Sequence, residues 1–295
     1  MNMTSRHSAR AVVQDIEARL QEGGVASARA EAEWLVAEAC GLGRTELYLV
    51  GSTPDLHTLE RIDRWVSRRL RGEPLQHVMG DADFCGHRLA VSPEVLIPRP
   101  ETEALVEQAI GYLRGVAQRS LAPSVLDLGT GSGNIAISVA LAVLSCVVIA
   151  VELSWNALLV ARENLRRFQL DDRIRLIQAD WTRGVTRGSN GLGGFDLVIS
   201  NPPYVPRAEL DRLPQELQRE PRLSLDGGED GMSHHRRLVA EIPDLLCRGG
   251  VACLECAESQ AEPLCDLVRH QPWVRQAVVI NDVAGRPRGL WVTHR

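Results

Sequence analysis

A chain of 295 residues with 44% hydrophobic side chains can bury a large core and suggests two domains. Its net charge of −5 argues against a duplex nucleic-acid substrate, which calls for a basic face. No apolar stretch is long enough to span a bilayer, and Met1–Arg10 is polar with no apolar signal core; with an odd count of seven cysteines these features point to reduced thiols and a cytoplasmic location.

Residues 1 to about 80 read as a helical region. Val12, Ile16 and Leu20 repeat at helical spacing, and Gly23-Gly24 ends that run. Ala28 to Ala39 carries Trp34 and Leu35 among Ala and Glu. Thr58 to Leu70 places Leu59, Ile62, Val66 and Leu70 on one stripe, and Arg61, Arg64, Arg68, Arg69 and Arg71 read as a solvated face around it. The segment is expected to be a small helical bundle that serves recognition. Residues 81–100, punctuated by Gly86, Pro93, Pro98 and Pro100, read as a connector with a hairpin near Asp83–Val91. Pro100 then opens a helix with Glu101 and Glu103 in its first turn, where the helix dipole favours carboxylates, a structural role that accounts for Pro100-Glu101-Thr102-Glu103.

From residue 101 to 295 strands and helices alternate, the pattern of an α/β doubly wound sheet. Ser124–Leu128 is a buried strand running into Gly129-Thr130-Gly131-Ser132-Gly133 and a helix, Asn134 to Leu144. Glycines allow a tight turn and close backbone approach to a ligand, and the helix N-terminus supplies free N–H donors. The next strand, Cys146–Val151, ends in Glu152, an acid placed to hold a ribose diol. A third strand, Ile174–Gln178, ends in Ala179-Asp180-Trp181, where Asp180 could accept from an adenine amino group and Trp181 could stack on the ring. Gly131-x-Gly133-x-x-Ala136 also fits a dinucleotide fingerprint, so a nicotinamide cofactor stays open at this point.

The fourth strand, Phe195–Ser200, stops at Asn201-Pro202-Pro203-Tyr204. The prolines cannot donate to a ladder and stiffen the corner. Asn201 offers a carbonyl acceptor, the Pro202 carbonyl is a second, and Tyr204 can cover a flat group; together they suit a planar NH2. Residues 205–235 form a long turn-rich segment in which Asp226–Gly231 is a tight turn series. A helix (Met232 to Cys247), a strand (Gly250 to Glu255), a helix (Ala257 to His270) and two closing strands (Ala277–Ile280, Leu290–Thr293) at an antiparallel edge complete the chain. Cys253-Leu-Glu-Cys256 lacks a second ligand pair and reads as core, so no metal is expected; His234-His235 reads as solvated.

Asn201-Pro202-Pro203-Tyr204 resembles the signature of S-adenosylmethionine-dependent methyltransferases that modify amide or exocyclic amino nitrogens, and Asp127-x-Gly129-x-Gly131-x-Gly133 resembles the first motif of the class I methyltransferases. With Leu96-Ile97-Pro98-Arg99-Pro100-Glu101-Thr102-Glu103, Asp180-Trp181, Glu220-Pro221 before Asp226–Gly231, and Arg288 after Gly285, nearly the whole chain resembles the release factor glutamine methyltransferases, the PrmC/HemK family. It departs from them at Cys85, where a large aromatic is frequent, and at Glu152, where Asp is common.

The resemblance implies a class I methyltransferase fold, a Rossmann-like doubly wound sheet with an antiparallel edge strand, behind an N-terminal helical bundle. It implies S-adenosylmethionine as cofactor, held by Gly129, Thr130, Gly131, Ser132, Gly133, Glu152, Asp180, Trp181 and Asn201. The substrate implied is the Gln of the Gly-Gly-Gln motif of class 1 peptide chain release factors, held by Asn201, Pro202, Pro203 and Tyr204, with Asn201, Pro202 and Tyr204 as the catalytic group. Neither direct nucleic-acid binding nor a membrane is expected. Alternatives are a DNA adenine-N6 or ribosomal-protein glutamine methyltransferase, a nicotinamide-binding domain, or a release-factor binding protein that does not catalyse.

Overall fold

The structure is a computed structural model that describes residues 8–49, 52–119, 122–191 and 193–295. The first seven residues of the polar N-terminal stretch lie outside the described residues. The chain divides into two compact units, one running to Gly80 together with Gln215–Arg219, the other made of Asp81–Pro214 and Glu220–Arg295.

The first unit is helical: α1 Ala9–Glu22, α2 Ala28–Cys40, α3 Glu46–Leu49, α4 Leu56–Leu70 and α5 Leu75–Met79. Ser8 caps α1 by accepting from the Ala11 N–H, and Asp55 caps α4 by accepting from that of Thr58 at 2.8 Å. Val13, Ile16 and Leu20 of α1 meet Ala32, Leu35 and Val36 of α2 and Ile62 and Val66 of α4 in one apolar core. The expected solvated arginine face holds only in part. Arg69 is 5% exposed, with its guanidinium on both Glu31 carboxylate oxygens (2.6 and 3.1 Å) and on Glu216 of the Gln215–Arg219 segment. Arg68 donates to the His77 and Val78 carbonyls. A period-3.6 pattern places Arg69 on the flank of α4, but cannot announce a carboxylate brought from elsewhere in the chain.

The second unit starts with a hairpin, β1 Asp81–Phe84 and β2 His87–Ala90, whose Phe84 and Leu89 are buried in the main core. Then follow α6 Pro100–Ala117, β3 Ser124–Leu128, α7 Asn134–Ala142, β4 Val147–Glu152, α8 Trp155–Arg167, β5 Ile174–Gln178, β6 Phe195–Ser200, α9 Ser233–Glu241, β7 Leu246–Glu255, α10 Ala261–Arg269, β8 Val274–Asn281 and β9 Pro287–His294. The described strands β3 to β9 make one sheet in the order β5-β4-β3-β6-β7-β9-β8, parallel except where β9 pairs antiparallel with β7 and β8. This is the expected α/β doubly wound sheet with an antiparallel edge. Every residue of β3 is buried, and successive residues alternate faces: Val125, Leu197 and Ile199 enter the core with α6 and α7, while Leu126 and Val198 enter that with α9 and α10.

Several expected boundaries move: α7 ends at Ala142, α10 starts at Ala261, and β8 and β9 start at Val274 and Pro287, each two to four residues from the expectation. The helix at Met232 ends at Glu241, because Pro243 lacks the N–H a continuing helix needs. The strand expected at Gly250 starts at Leu246, and the ladder with β6 skips from Leu246 to Val251, leaving Gly249 in a positive-φ bend. Beyond β6 the chain stays extended: Val205 and Gly227 bond through the Gly227 N–H at 2.8 Å, and a side chain on Gly227 would collide with the Tyr204 backbone at 2.7 Å.

Removing one partner of a buried ion pair leaves the other charge uncompensated. Arg69→Met should therefore destabilise the helical unit by roughly 3 kcal/mol, read from urea denaturation followed by Trp34 and Trp65 fluorescence. An unchanged midpoint would mean that the buried pair contributes nothing.

Candidate active site

In an open doubly wound sheet the ligand crevice lies beyond the carboxyl ends of the strands, where the strand order reverses. Here that point falls between β3 and β6. A cavity of about 280 Å³ opens there, lined by Gly129 and Gly131 after β3, Glu152 of β4, Asp180 and Trp181 after β5, and Asn201 and Pro203 after β6.

The glycine turn is built around carboxylates. Asp127 is fully buried, its Oδ2 accepting from the Thr130 hydroxyl at 2.6 Å and the Ala136 N–H at 3.2 Å. It ties the turn to the start of α7 and does not line the cavity, and burial pushes its carboxyl up to about 7. Glu152 does face the cavity. Its Oε2 accepts from the Gly131 N–H at 3.0 Å and its Oε1 from the Leu153 and Ser154 N–H groups, which fixes both oxygens and leaves acceptor capacity for a further donor. Gly129 has a φ of +75°, and a side chain there would come within 3.4 Å of the Trp181 ring, so the ring lies over the turn.

Trp181 itself has a φ of +56° and sits 5.2 Å from the His234 ring. Asp180 is paired with Arg237 at 2.7 Å, whose guanidinium holds it below the usual carboxylate range. Arg237 also bonds Glu241 at 2.7 Å. At the corner after β6, Asn201 is half-buried and its Nδ2 donates to the Thr102 hydroxyl at 3.2 Å. Tyr204 does not line the cavity; its hydroxyl points to Glu255 Oε1 at 3.4 Å.

Of the residues singled out from sequence, Gly129, Gly131, Glu152, Asp180, Trp181, Asn201 and Pro203 therefore line one cavity, while Thr130, Ser132, Gly133, Pro202 and Tyr204 are not among its lining residues. Sequence reasoning missed Val95, Leu223, His234 and Arg237 as lining residues. It also read His234-His235 as solvated, yet His235 is fully buried and donates from Nε2 to the Glu255 carbonyl at 2.7 Å. A helical-wheel reading of α9 would have set His235 with the buried Leu238 and Val239. Cys253 and Cys256 are buried among apolar neighbours, where burial pushes the Cys256 thiol up to about 12.

Residues 11–80 match the family described as PrmC N-terminal domain, and residues 111–228 the family described as methyltransferase small domain. A protein of Moorella thermoacetica named release factor glutamine methyltransferase is 39% identical over 272 residues, 92% of this chain and 93% of its own. The same name belongs to a protein of Chlorobaculum tepidum, 41% identical over 79% of this chain and 80% of its own. It also belongs to one of Deinococcus radiodurans, 37% identical over 92% and 93%. Among solved structures, the catalytic domain of hMettl16 in complex with the MAT2A 3'UTR hairpin 6 shares the fold, with a TM-score of 0.54 at 15% identity over 83% of this chain and 85% of that one.

The raised Asp127 carboxyl makes stability pH-dependent. Between the unfolded carboxylate pKa near 4 and the folded value of about 7, the native state binds more protons than the unfolded one, so this group's contribution falls as pH rises through that window. Asp127→Asn keeps an acceptor for the Thr130 hydroxyl and removes the charge. Its stability relative to wild type should rise from pH 4.5 to 7.5, by on the order of 3 kcal/mol in all. Parallel denaturation curves for the two proteins across this range would show that Asp127 does not titrate there.

Proposed function

The chain belongs to the release factor glutamine methyltransferase family, and we propose that the amide it methylates is held at the carboxyl end of β6 by Asn201 and the Pro202 carbonyl. The enzyme is an S-adenosylmethionine-dependent protein-glutamine methyltransferase. The observation that carries the site assignment is that Asn201 shares its cavity with the glycine turn, Glu152 and Trp181.

The residues present fit the cofactor. The turn at Gly129 and Gly131 has no side chains and admits close approach, the Glu152 carboxylate is fixed at the cavity edge where a ribose diol can donate to it, and Trp181 offers a ring face for a purine. When bound, S-adenosylmethionine supplies an electrophilic methyl on a sulfonium. Asp180 would accept from the adenine amino group beside Arg237. Thr130, Ser132 and Gly133 act from behind, by setting the path of the turn into α7.

The chain's own contribution to chemistry is orientation. An amide nitrogen is a weak nucleophile, since its lone pair is delocalised into the carbonyl. Asn201 Oδ1 and the Pro202 carbonyl accept its two N–H bonds, aim the nitrogen along the line of transfer and push electron density toward it. Well-set orientation can lower a barrier by about 7–11 kcal/mol in favourable cases. Pro203 stiffens the corner before the substrate arrives, and Tyr204 braces it through Glu255 rather than covering the substrate face.

The substrate in this reading is the Gln of the Gly-Gly-Gln motif of class 1 peptide chain release factors, and the helical unit grips the factor. No helix among the described residues is long and apolar enough to cross a membrane. A cytoplasmic location belongs to the same reading, as does the absence of direct nucleic-acid binding, which the net charge of −5 supports.

With tritiated S-adenosylmethionine, label should enter release factor and not DNA; label in DNA adenine would favour the nucleic-acid alternative. Asn201→Ala should abolish transfer while the cofactor dissociation constant stays within about tenfold; transfer at a wild-type rate would remove Asn201 from the mechanism. Glu152→Ala should weaken cofactor binding by about 1.5–3 kcal/mol, the worth of charge-assisted contacts, and an unchanged dissociation constant by calorimetry would refute the ribose assignment.

A further inference from the structure

Trp181 lines the cavity from a backbone conformation that its side chain does not favour. The Arg183 N–H bonds the Asp180 carbonyl at 3.2 Å, so Asp180 to Arg183 is a tight turn with Trp181 in its second position. Trp181 has a φ of +56° there, where Gly, Asn or Asp is the ordinary occupant. A bulky residue keeps such a conformation only where its surroundings fix it.

The residues on either side of Trp181 show what fixes it. Arg237 donates from Nη1 to the Asp180 carboxylate at 2.7 Å and from Nη2 to the Asp180 carbonyl at 3.2 Å. Its Nε donates to Glu241 Oε1 at 2.7 Å, and Glu241 Oε2 accepts from the Thr182 hydroxyl. The residue before Trp181 is thus held by main chain and side chain, and the residue after it by side chain. Arg183 also reaches Asp180, at 3.4 Å, but from an exposed side chain.

The helix that supplies the grip is itself seated in the core. His235, Leu238 and Val239 bury one face of α9. His234, Arg237 and Glu241 follow at spacings of three and four and share another face. All three meet the turn: the His234 ring stands 5.2 Å from that of Trp181, and its Nε2 donates to the Asp226 carbonyl at 3.1 Å. Reaching a carbonyl and two carboxylates at once takes the planar fork of a guanidinium, with donors in fixed directions.

We infer that Arg237, braced by Glu241, is a positioning residue for the cofactor: it clamps the turn that presents the Trp181 ring to a purine. Without the clamp Trp181 relaxes toward negative φ, and its ring leaves the Gly129 turn against which it lies. The inference rests on the proposed reading of Trp181 as the purine platform.

Calorimetry with S-adenosylmethionine tests it. Arg237→Met keeps the long stem and removes the guanidinium. It should raise the cofactor dissociation constant by about 10–30-fold, the order of a lost base-stacking contact. Arg237→Lys keeps the charge without the fork and should come within about threefold of the Met variant. In a Trp181→Ala background Arg237→Met should add less than about twofold, because no ring is left to place. At saturating cofactor, KM for release factor should stay within about threefold of wild type.

Equal losses from Arg237→Met with and without Trp181 would overturn the inference, since Arg237 would then act on the cofactor directly or through Asp180. Wild-type affinity in Arg237→Lys would overturn it as well, by showing that charge alone suffices. Should Arg237→Met not fold, Arg237→Lys carries the same two-background comparison. A weakened Trp181→Ala beside an unchanged Arg237→Met would sink this inference alone. Unchanged affinity in Trp181→Ala would remove the purine reading and this inference with it.

Discussion

One row of the sheet sets the whole site. Leu128 of β3 pairs with Val151 of β4 on one side and with Ser200 of β6 on the other. The residues that follow these three are Gly129, Glu152 and Asn201, so the glycine turn, the acid and the amide leave the sheet at the same level. The Gly129 N–H bonds the Val151 carbonyl at 2.9 Å, and the Ser200 hydroxyl bonds that of Leu128 at 2.7 Å, which closes the row where the strands part. Because side chains alternate with a period of two, a slip of one residue in either pairing would turn Asn201 or Glu152 to the opposite face.

Around that row the fold buries acids and gives each a different task. Asp127 ties the turn to α7, Glu152 faces outward with its oxygens fixed by backbone N–H groups, and Glu255 lies under the corner with the Tyr204 hydroxyl. Burial raises Asp127 and Glu255 to about 7, while Asp180 at the rim stays below its usual range beside Arg237. Solvation and partners, not residue type, separate the groups that brace the site from those that face a ligand.

The strands of the second unit were legible because burial on both faces writes continuous apolar runs, and Pro100 marks the start of α6. Val147–Glu152, Ile174–Gln178 and Phe195–Ser200 fall within a residue of where the pattern puts them. One error had a local signal, in Pro243, and the others fell where local pattern is mute. Pro243 ends α9 short of Cys247, and β7 reaches back to Leu246 across a bend that carries Gly249. Composition could not tell Arg69 from the exposed arginines of its helix, nor His235 from His234.

The sequence by itself determined what each strand end carries: a glycine turn, an acid, an acid with an aromatic, and an amide on a proline corner. These are local facts, written by turn chemistry and by the period of the apolar residues. Only the tertiary structure decided which groups meet across long separations. It brought Thr102 to Asn201 over 99 positions, Tyr204 to Glu255 over 51, and Arg69 to Glu216 over 147. A periodic pattern specifies that a side chain turns inward but not the partner waiting there, because that partner is chosen by sheet order and register, which no short stretch of chain contains.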